Sequence, residues 1–407
     1  MSYTYTDEIK FAPTTNFDSF GRLRVSDPFT LFDSNHRYKD NGLWATQTAT
    51  GGTAVFNANA GLVDLNVTTS SGSTVRRETY KVFAYQPGKS LLTFNTFVMS
   101  PAQTGLTQRV GYYGANNGMF LQLSNSTLSF VKRSSVTGVL VETPVAQASW
   151  NVDPMNGSGP SGITLDITKA QILFMDFEWL GVGSVRCGFV IDGEFRTCHI
   201  FHHANLITST YITTASLPLR YEIINTAGTA SSSTLKQICS SVISEGGYEM
   251  HGVQQAVITP ITAPRTLATA GTYYPIISLR LKTTALDAIA IISALSIMGV
   301  STGIYNWKIL ESCTTTAGAW VSAGTDSAVE YNTTGTDVSG GRTLATGYFT
   351  SSTQSSVNTD VLKEALFRFQ LERDYFTSDP HEICLAVTAS TDTELVYGSM
   401  DWEEITR

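Results

Sequence analysis

Charge is what this chain has least of. Asp, Glu, Lys and Arg make up 15% of its 407 residues, against the usual quarter. Asn41 to Val75 carries only Asp64, and Ser90 to Val131 carries only Arg109. There is no Lys/Arg run and the formal net charge is −8, which excludes affinity for a phosphate backbone and so a nucleic-acid partner. Cysteines are few and scattered: Cys187, Cys198, Cys239, Cys313 and Cys384, with no Cys-x-x-Cys among them. That spacing suits neither a disulfide framework nor a zinc ribbon. Residues 1 to 20 lack a basic segment followed by an apolar one, so no secretory leader is expected and assembly in a reducing cytoplasm is. The most apolar run, Ala288 to Val300, falls short of the ~20 residues a spanning helix needs, which argues against membrane insertion. A Gly-x-Ser-x-Gly elbow, a P-loop and a His-Glu-x-x-His are all missing. So are internal repeats and heptads, which excludes a long fibrous shaft.

What remains is β-rich. Aromatics are 11% of the chain, too many for disorder, and Ser/Thr-rich surfaces alternate with short Gly turns. Thirteen period-two runs between Thr53 and Ser244, starting mostly 8–12 residues apart, predict an antiparallel sandwich or jelly roll. Residues 1–40 differ: they hold charges of both signs, Phe17, Phe20, Phe29 and Phe32, and prolines at 13 and 28. They read as an extended arm that packs on its own subunit, on a neighbour, or on a larger particle. Glu245-Gly246-Gly247-Tyr248 marks a boundary. The expected fold is all-β: the arm (1–40), a jelly-roll-like β-sandwich (41–250) and a second, smaller β-sandwich (251–407). Within the last, Val361 to Tyr375 reads as a turn of helix followed by a strand.

The stretch Phe174 to Ile191 carries the candidate chemistry. Leu173, Met175, Phe177 and Trp179 share one face of a strand; Asp176 and Glu178 share the other, ~6.6 Å apart. Pairing Trp179 with Val185 in the next strand puts every apolar residue on the core face, and it sets Glu178 opposite Arg186 as a structural ion pair. The carboxylate pattern of laminarinase-like jelly-roll glycosidases fails here, because Phe174 stands where a further glutamate is needed. An acid held by an arginine also makes a poor proton donor. His199 and His203 would share a face and could supply half of a zinc site, but hydrogen-bonded or interfacial histidines explain them as well. Cys187 and Cys198 flank the hairpin dipeptide Asp192-Gly193, and a two-residue turn would set them opposite each other. Tyr112-Tyr113 and Tyr273-Tyr274 could stack on sugars or pack at strand edges. No catalytic, cofactor-binding or metal-binding residue is assigned, no cofactor is expected, and the chain reads as a non-enzyme.

Four blocks resemble a family of tailed-bacteriophage virion proteins over about the first 250 residues. They are FDSFGRLRVSDPFTLFD from Phe17 to Asp33, DFEWLGVGSVRCGF from Asp176 to Phe189, LPLRYEI from Leu217 to Ile223, and ICSSVISEGGY from Ile238 to Tyr248. The resemblance implies a virion structural protein, assembled in the host cytoplasm, of the tail or a tail appendage such as a fibre or its adaptor. It implies other virion proteins, of tail or capsid, as partners and a homo-oligomer, read as a homotrimer. Phe17, Phe20, Arg22, Arg24, Phe29 and Phe32 would form the docking arm. Two alternatives stay open: a head-surface decoration or head-fibre protein, and a receptor-binding protein that binds or depolymerises a host-surface glycan.

Overall fold

The computed structural model of the chain describes residues 18, 22–24, 27–247, 251–351, 370–373, 376 and 379–406. It is all-β and divides into two compact units, Met1–Tyr248 and Glu249–Arg407.

The first unit contains β1 (Phe29–Ser34), β2 (Trp44–Ala49), β3 (Thr53–Asn57), β4 (Leu62–Val67), β5 (Thr74–Thr79), β6 (Leu91–Val98), β7 (Leu106–Tyr113), β8 (Gly118–Ser124), β9 (Thr127–Ser134), β10 (Val141–Ala146), β11 (Gln171–Phe177), β12 (Val185–Ile191), β13 (Glu194–Phe201), β14 (Leu219–Asn225) and β15 (Ser233–Ser244). They form two antiparallel sheets. One has eight strands in the order β13-β12-β11-β6-β15-β4-β3, with β1 also on β15; the other has seven, in the order β10-β9-β8-β7-β14-β5-β2. Period-two alternation builds the core between them. Leu173, Met175 and Phe177 of β11 and Val185, Cys187 and Phe189 of β12 face Val110 and Tyr112 of β7 and Leu219, Tyr221 and Ile223 of β14, all buried. Each large side chain contributes about 1.5–3 kcal/mol on burial.

Part of the expected arm belongs to this sandwich. Phe29–Ser34 runs antiparallel to β15 as β1, and Phe32 is buried against Trp44 (ring centroids 6.0 Å apart) and Phe83 (5.1 Å). Phe32 is therefore a core residue rather than a docking residue, and Phe29 is half-buried on the same strand. Phe17 and Phe20 lie outside the described residues. The segment after β1 is tied down by Arg77, which is buried and reaches both carboxylate oxygens of Asp40 at 2.7 Å while donating to Gln237 at 2.7 Å.

The second unit contains β16 (Val253–Ile258), β17 (Arg265–Leu267), β18 (Tyr274–Leu281), β19 (Ile289–Gly299), β20 (Ile304–Thr316), β21 (Val321–Ser322), β22 (Val329–Asn332), β23 (Asp337–Thr350), β24 (Gln370–Leu371), β25 (Glu382–Ala389) and β26 (Glu394–Thr406). A five-stranded sheet, β16-β26-β19-β24 with β17 on β26, packs on a six-stranded one, β21-β22-β18-β25-β20-β23. Leu295, Ile297, Met400 and Trp402 from the first meet Ile277, Leu279, Tyr305, Ile309 and Leu385 from the second. Of the expected helix and strand at Val361–Tyr375, only residues 370–373 are described, and Gln370–Leu371 pairs with β19.

Candidate functional site

The face of β11 and β12 turned away from the core gathers the charges singled out above. Asp176 is 1% exposed, and its Oδ2 accepts from Arg186 Nη2 at 2.6 Å and from Arg24 Nη2 at 2.7 Å. Arg24 also reaches Glu245 Oε2 (3.2 Å) and Ser90 Oγ (3.3 Å). Two residues earlier in the arm, Arg22 donates from its backbone N–H and from Nε to the buried Asp18 carboxylate (2.8 and 2.7 Å), and from Nη2 to the Gly88 carbonyl (2.9 Å). The arm is thus clasped to its own sandwich. Arg22 and Arg24, read as part of the docking arm, here bind the unit that carries them.

The ion pair itself differs from the expected one. The ladder sets Phe177 opposite Val185 and Asp176 opposite Arg186, two residues earlier than the sequence pattern suggested. A slip of two leaves every side chain on its own face, so alternation cannot detect it. Tertiary contacts make the connection longer. Trp179 leaves the ladder to pack edge-on against Tyr85 (6.1 Å): its backbone N–H donates to Tyr85 Oη (3.0 Å) and its indole Nε1 donates to the Ile212 carbonyl (3.3 Å). The turn then closes through Gly183 N–H to the Trp179 carbonyl at 2.7 Å, with Leu180 and Gly181 at positive φ.

Glu178 is half-buried beside this clasp. Burial raises its pKa above the ordinary carboxylate value, and repulsion from Asp18 and Asp176 adds to that; a hydrogen bond from Ser184 N–H and the charge of Arg186 pull the other way. A raised carboxyl is a general-acid trait. Its strand neighbour Asp176, however, is enclosed by two guanidinium groups and out of reach of a substrate or an attacking water. Asp176, bound to both arginines, therefore does not complete a hydrolytic pair with Glu178. Glu178→Gln is accordingly expected to change the urea-unfolding free energy by less than about 1 kcal/mol, with no loss in the direction that removal of a paired charge would give.

The histidines are separated. His199 is buried, takes the Asn151 backbone N–H on Nδ1 (3.3 Å) and meets Phe201 edge-on at 4.5 Å. His203 lies beyond the end of β13, stacked on Tyr211 (4.0 Å), with Nδ1 donating to the Gly183 carbonyl at 2.7 Å. Burial lowers both to a pKa of about 4. His202 is exposed and pairs with Ser184 Oγ at 3.2 Å. Among the described residues no group of three or more His, Cys, Asp or Glu is placed to hold a metal. Asp192 and Gly193, both at positive φ, do make a two-residue turn with Ile191 opposite Glu194. A bulge then shifts the ladder so that Cys187 faces His199 instead of Cys198. Both thiols are free and buried, and burial pushes both above the ordinary range.

A second charge network went unread in the sequence. On the outward face of the seven-stranded sheet, Glu222 binds Arg76 (3.2 Å) and Arg109 (3.4 Å); Glu142 binds Arg109 (3.3 Å) and Arg133 (2.6 Å); Glu78 binds Arg220 (2.8 Å). The guanidinium groups of Arg133 and Arg220 lie over the buried Tyr113 ring, and those of Arg109 and Arg133 over Phe120. Tyr113 is therefore packed beneath arginines rather than offered to a sugar. The available signal was the i, i+2 spacing of charges at Arg76/Glu78 and Arg220/Glu222.

No protein-family model matches the chain, and no curated protein matches it. Solved structures similar to it include the carbohydrate recognition domain of Emp47p, 13% identical with a TM-score of 0.32, covering 51% of this chain and 91% of that one. A protein of unknown function from Shewanella oneidensis MR-1 is 9% identical with a TM-score of 0.37, covering 56% and 92%. Peanut lectin with a nine-residue peptide is 13% identical with a TM-score of 0.32, covering 54% and 98%.

Proposed function

We propose that the chain is a non-enzymatic structural protein of a tailed-bacteriophage virion, a tail or tail-appendage component that acts through contacts with other virion proteins and with copies of itself. One observation carries this reading: the blocks that resemble the virion family converge on one structural device. Asp18, Arg22 and Arg24 come from the first block, Asp176 and Arg186 from the central block, and Glu245 from the last; together they form the clasp. The remaining block supplies Arg220 and Glu222 to the second network. Residue types that a hydrolase would aim at a substrate are here spent on holding the arm and paving a sheet.

The test is to label purified virions with an antibody raised against the chain. Label on the tail supports the reading. Label on the head surface would replace it with the decoration alternative, and virions without the protein would end it. Release of sugar from host envelope by the purified chain, abolished by Glu178→Gln, would install the glycan-depolymerising alternative instead.

A further inference from the structure

All five cysteines of the chain are free thiols. Two of them, Cys313 of β20 and Cys384 of β25, are brought together by a distortion of the ladder. The two strands pair antiparallel, with Leu310 opposite Cys384 and Glu311 opposite Ile383. Unbroken alternation would then turn Cys313 to the face opposite Cys384. Instead the register slips between Glu311 and Cys313, and Ser312, at a φ of 54°, is the extra residue. The bulge sets Cys313 opposite Glu382, two positions before Cys384 and therefore on its face. Bulges re-aim the side chains beside them, and this one turns a thiol toward a thiol.

The two side chains meet. Cys313 and Cys384 pack with Leu310 and Ala386 in a small apolar cluster, and the thiols hydrogen-bond to each other. Cys313 Sγ lies at the junction of the strands, 3.8 Å from the Leu310 carbonyl of β20 and 3.8 Å from the Glu382 carbonyl of β25. Cys384 is fully buried and Cys313 is 6% exposed. The Ser278 hydroxyl, bonded to Thr315 Oγ1 at 2.7 Å, hydrogen-bonds to the Cys384 sulfur. The other buried pair is arranged differently: the Cys198 thiol is directed to Met155 Sδ (3.1 Å), and Cys187 stands opposite His199.

We infer that Cys313 and Cys384 are a redox pair that closes into a cross-strand disulfide, stapling β20 to β25, when the protein meets a peroxide. Cys313 is the sulfur that a small oxidant reaches. It attacks one peroxide oxygen, the O–O bond breaks, and the other oxygen leaves as hydroxide and takes the thiol proton to become water. Cys313 is then a sulfenic acid. The Cys384 sulfur attacks the Cys313 sulfur as it loses its own proton; the S–S bond forms, the S–O bond breaks, and the second oxygen leaves as water. Two thiols and one peroxide thus give one disulfide and two waters. Burial raises Cys384 well above the ordinary thiol range, so the pair is slow to react by itself, and a reducing cytoplasm keeps it open.

The test uses the full chain in a Cys239→Ser background, which removes the exposed thiol. The reduced protein is treated with hydrogen peroxide, alkylated, digested without reductant and mapped by mass. A peptide joining Cys313 to Cys384, lighter by two hydrogens and cleaved by a phosphine, is expected. The same treatment should raise the urea midpoint, because a cross-link between positions far apart in sequence restricts the unfolded chain. A phosphine should reverse the rise. Cys313→Ser, close in shape, should give neither the linked peptide nor the rise. Recovery of both cysteines as alkylated thiols, or of Cys313 as a sulfinic acid with Cys384 unlinked, would overturn the inference. So would linkage of Cys187 to Cys198 in its place, a linked protein with an unchanged or lowered midpoint, or a rise that survives in Cys313→Ser.

Discussion

Replacing Asp176 by Ala is expected to destabilise the first unit by about 3–5 kcal/mol, the cost of removing one partner from a buried ion cluster. Asp176 is 1% exposed, and the arginines it joins are 16% and 13% exposed. Without the carboxylate, Arg24 and Arg186 are left close together with less opposing charge. Asp176→Asn keeps the shape and one acceptor, so it should cost less. A double-mutant cycle between Asp176 and Arg24, followed by urea unfolding, should give a coupling of about 0.5–3 kcal/mol, because the two residues share one contact. Equality between the losses in Asp176→Ala and Glu178→Gln would show that these neighbouring carboxylates are interchangeable, which the geometry denies.

Mild acid is expected to weaken the first unit before its carboxylates titrate. His36, His199 and His203 are buried, and burial lowers each from 6.5 to about 4. For His36 the nearby Arg77 lowers it further while Asp40 opposes; Lys132 and His202 act on His203, and His202 on His199. The unfolded chain therefore binds more protons than the folded one between these values, and stability must rise with pH across that window. The contribution is fully present above pH 6.5 and is lost as pH falls toward 4. Each group is worth about 1.4 kcal/mol per pH unit, approaching about 4 kcal/mol per unit for the three together. Glu178, raised in the fold, works in the opposite direction and is one group against three. Urea midpoints measured from pH 7.5 to 4.5 should fall steeply. His203→Gln should flatten the curve by about a third, and a flat wild-type profile would show that these rings protonate in place.

Alternation made most of the first sandwich legible. The runs from Thr53 onward became β3 to β15 with ends displaced by a few residues. The strands that went unread are those whose burial is set by distant partners. β1 follows Pro28 and contains a register shift between Thr30 and Phe32, and β2 is mostly exposed Thr, Gln and Ala. β20 and β23 run longer than their apolar cores suggest, because Gly340-Gly341, a turn signal in sequence, continues the strand at positive φ. The candidate site was half legible. Sequence placed Asp176, Glu178 and Arg186 on one face, but the choice of partner depended on a two-residue slip driven by Trp179 and Tyr85. That Arg24 would close on Asp176, 152 positions away, left no local trace.

The most direct measurement is amide hydrogen exchange over residues 22–34 in the wild type and in Asp176→Asn. If Asp176 serves to clasp the arm, the Arg22 amide and its neighbours are protected in the wild type and exchange faster in the variant, while β7, β8 and β14 are unchanged. An arm equally protected in both proteins, or one that exchanges freely in the wild type, would contradict the account.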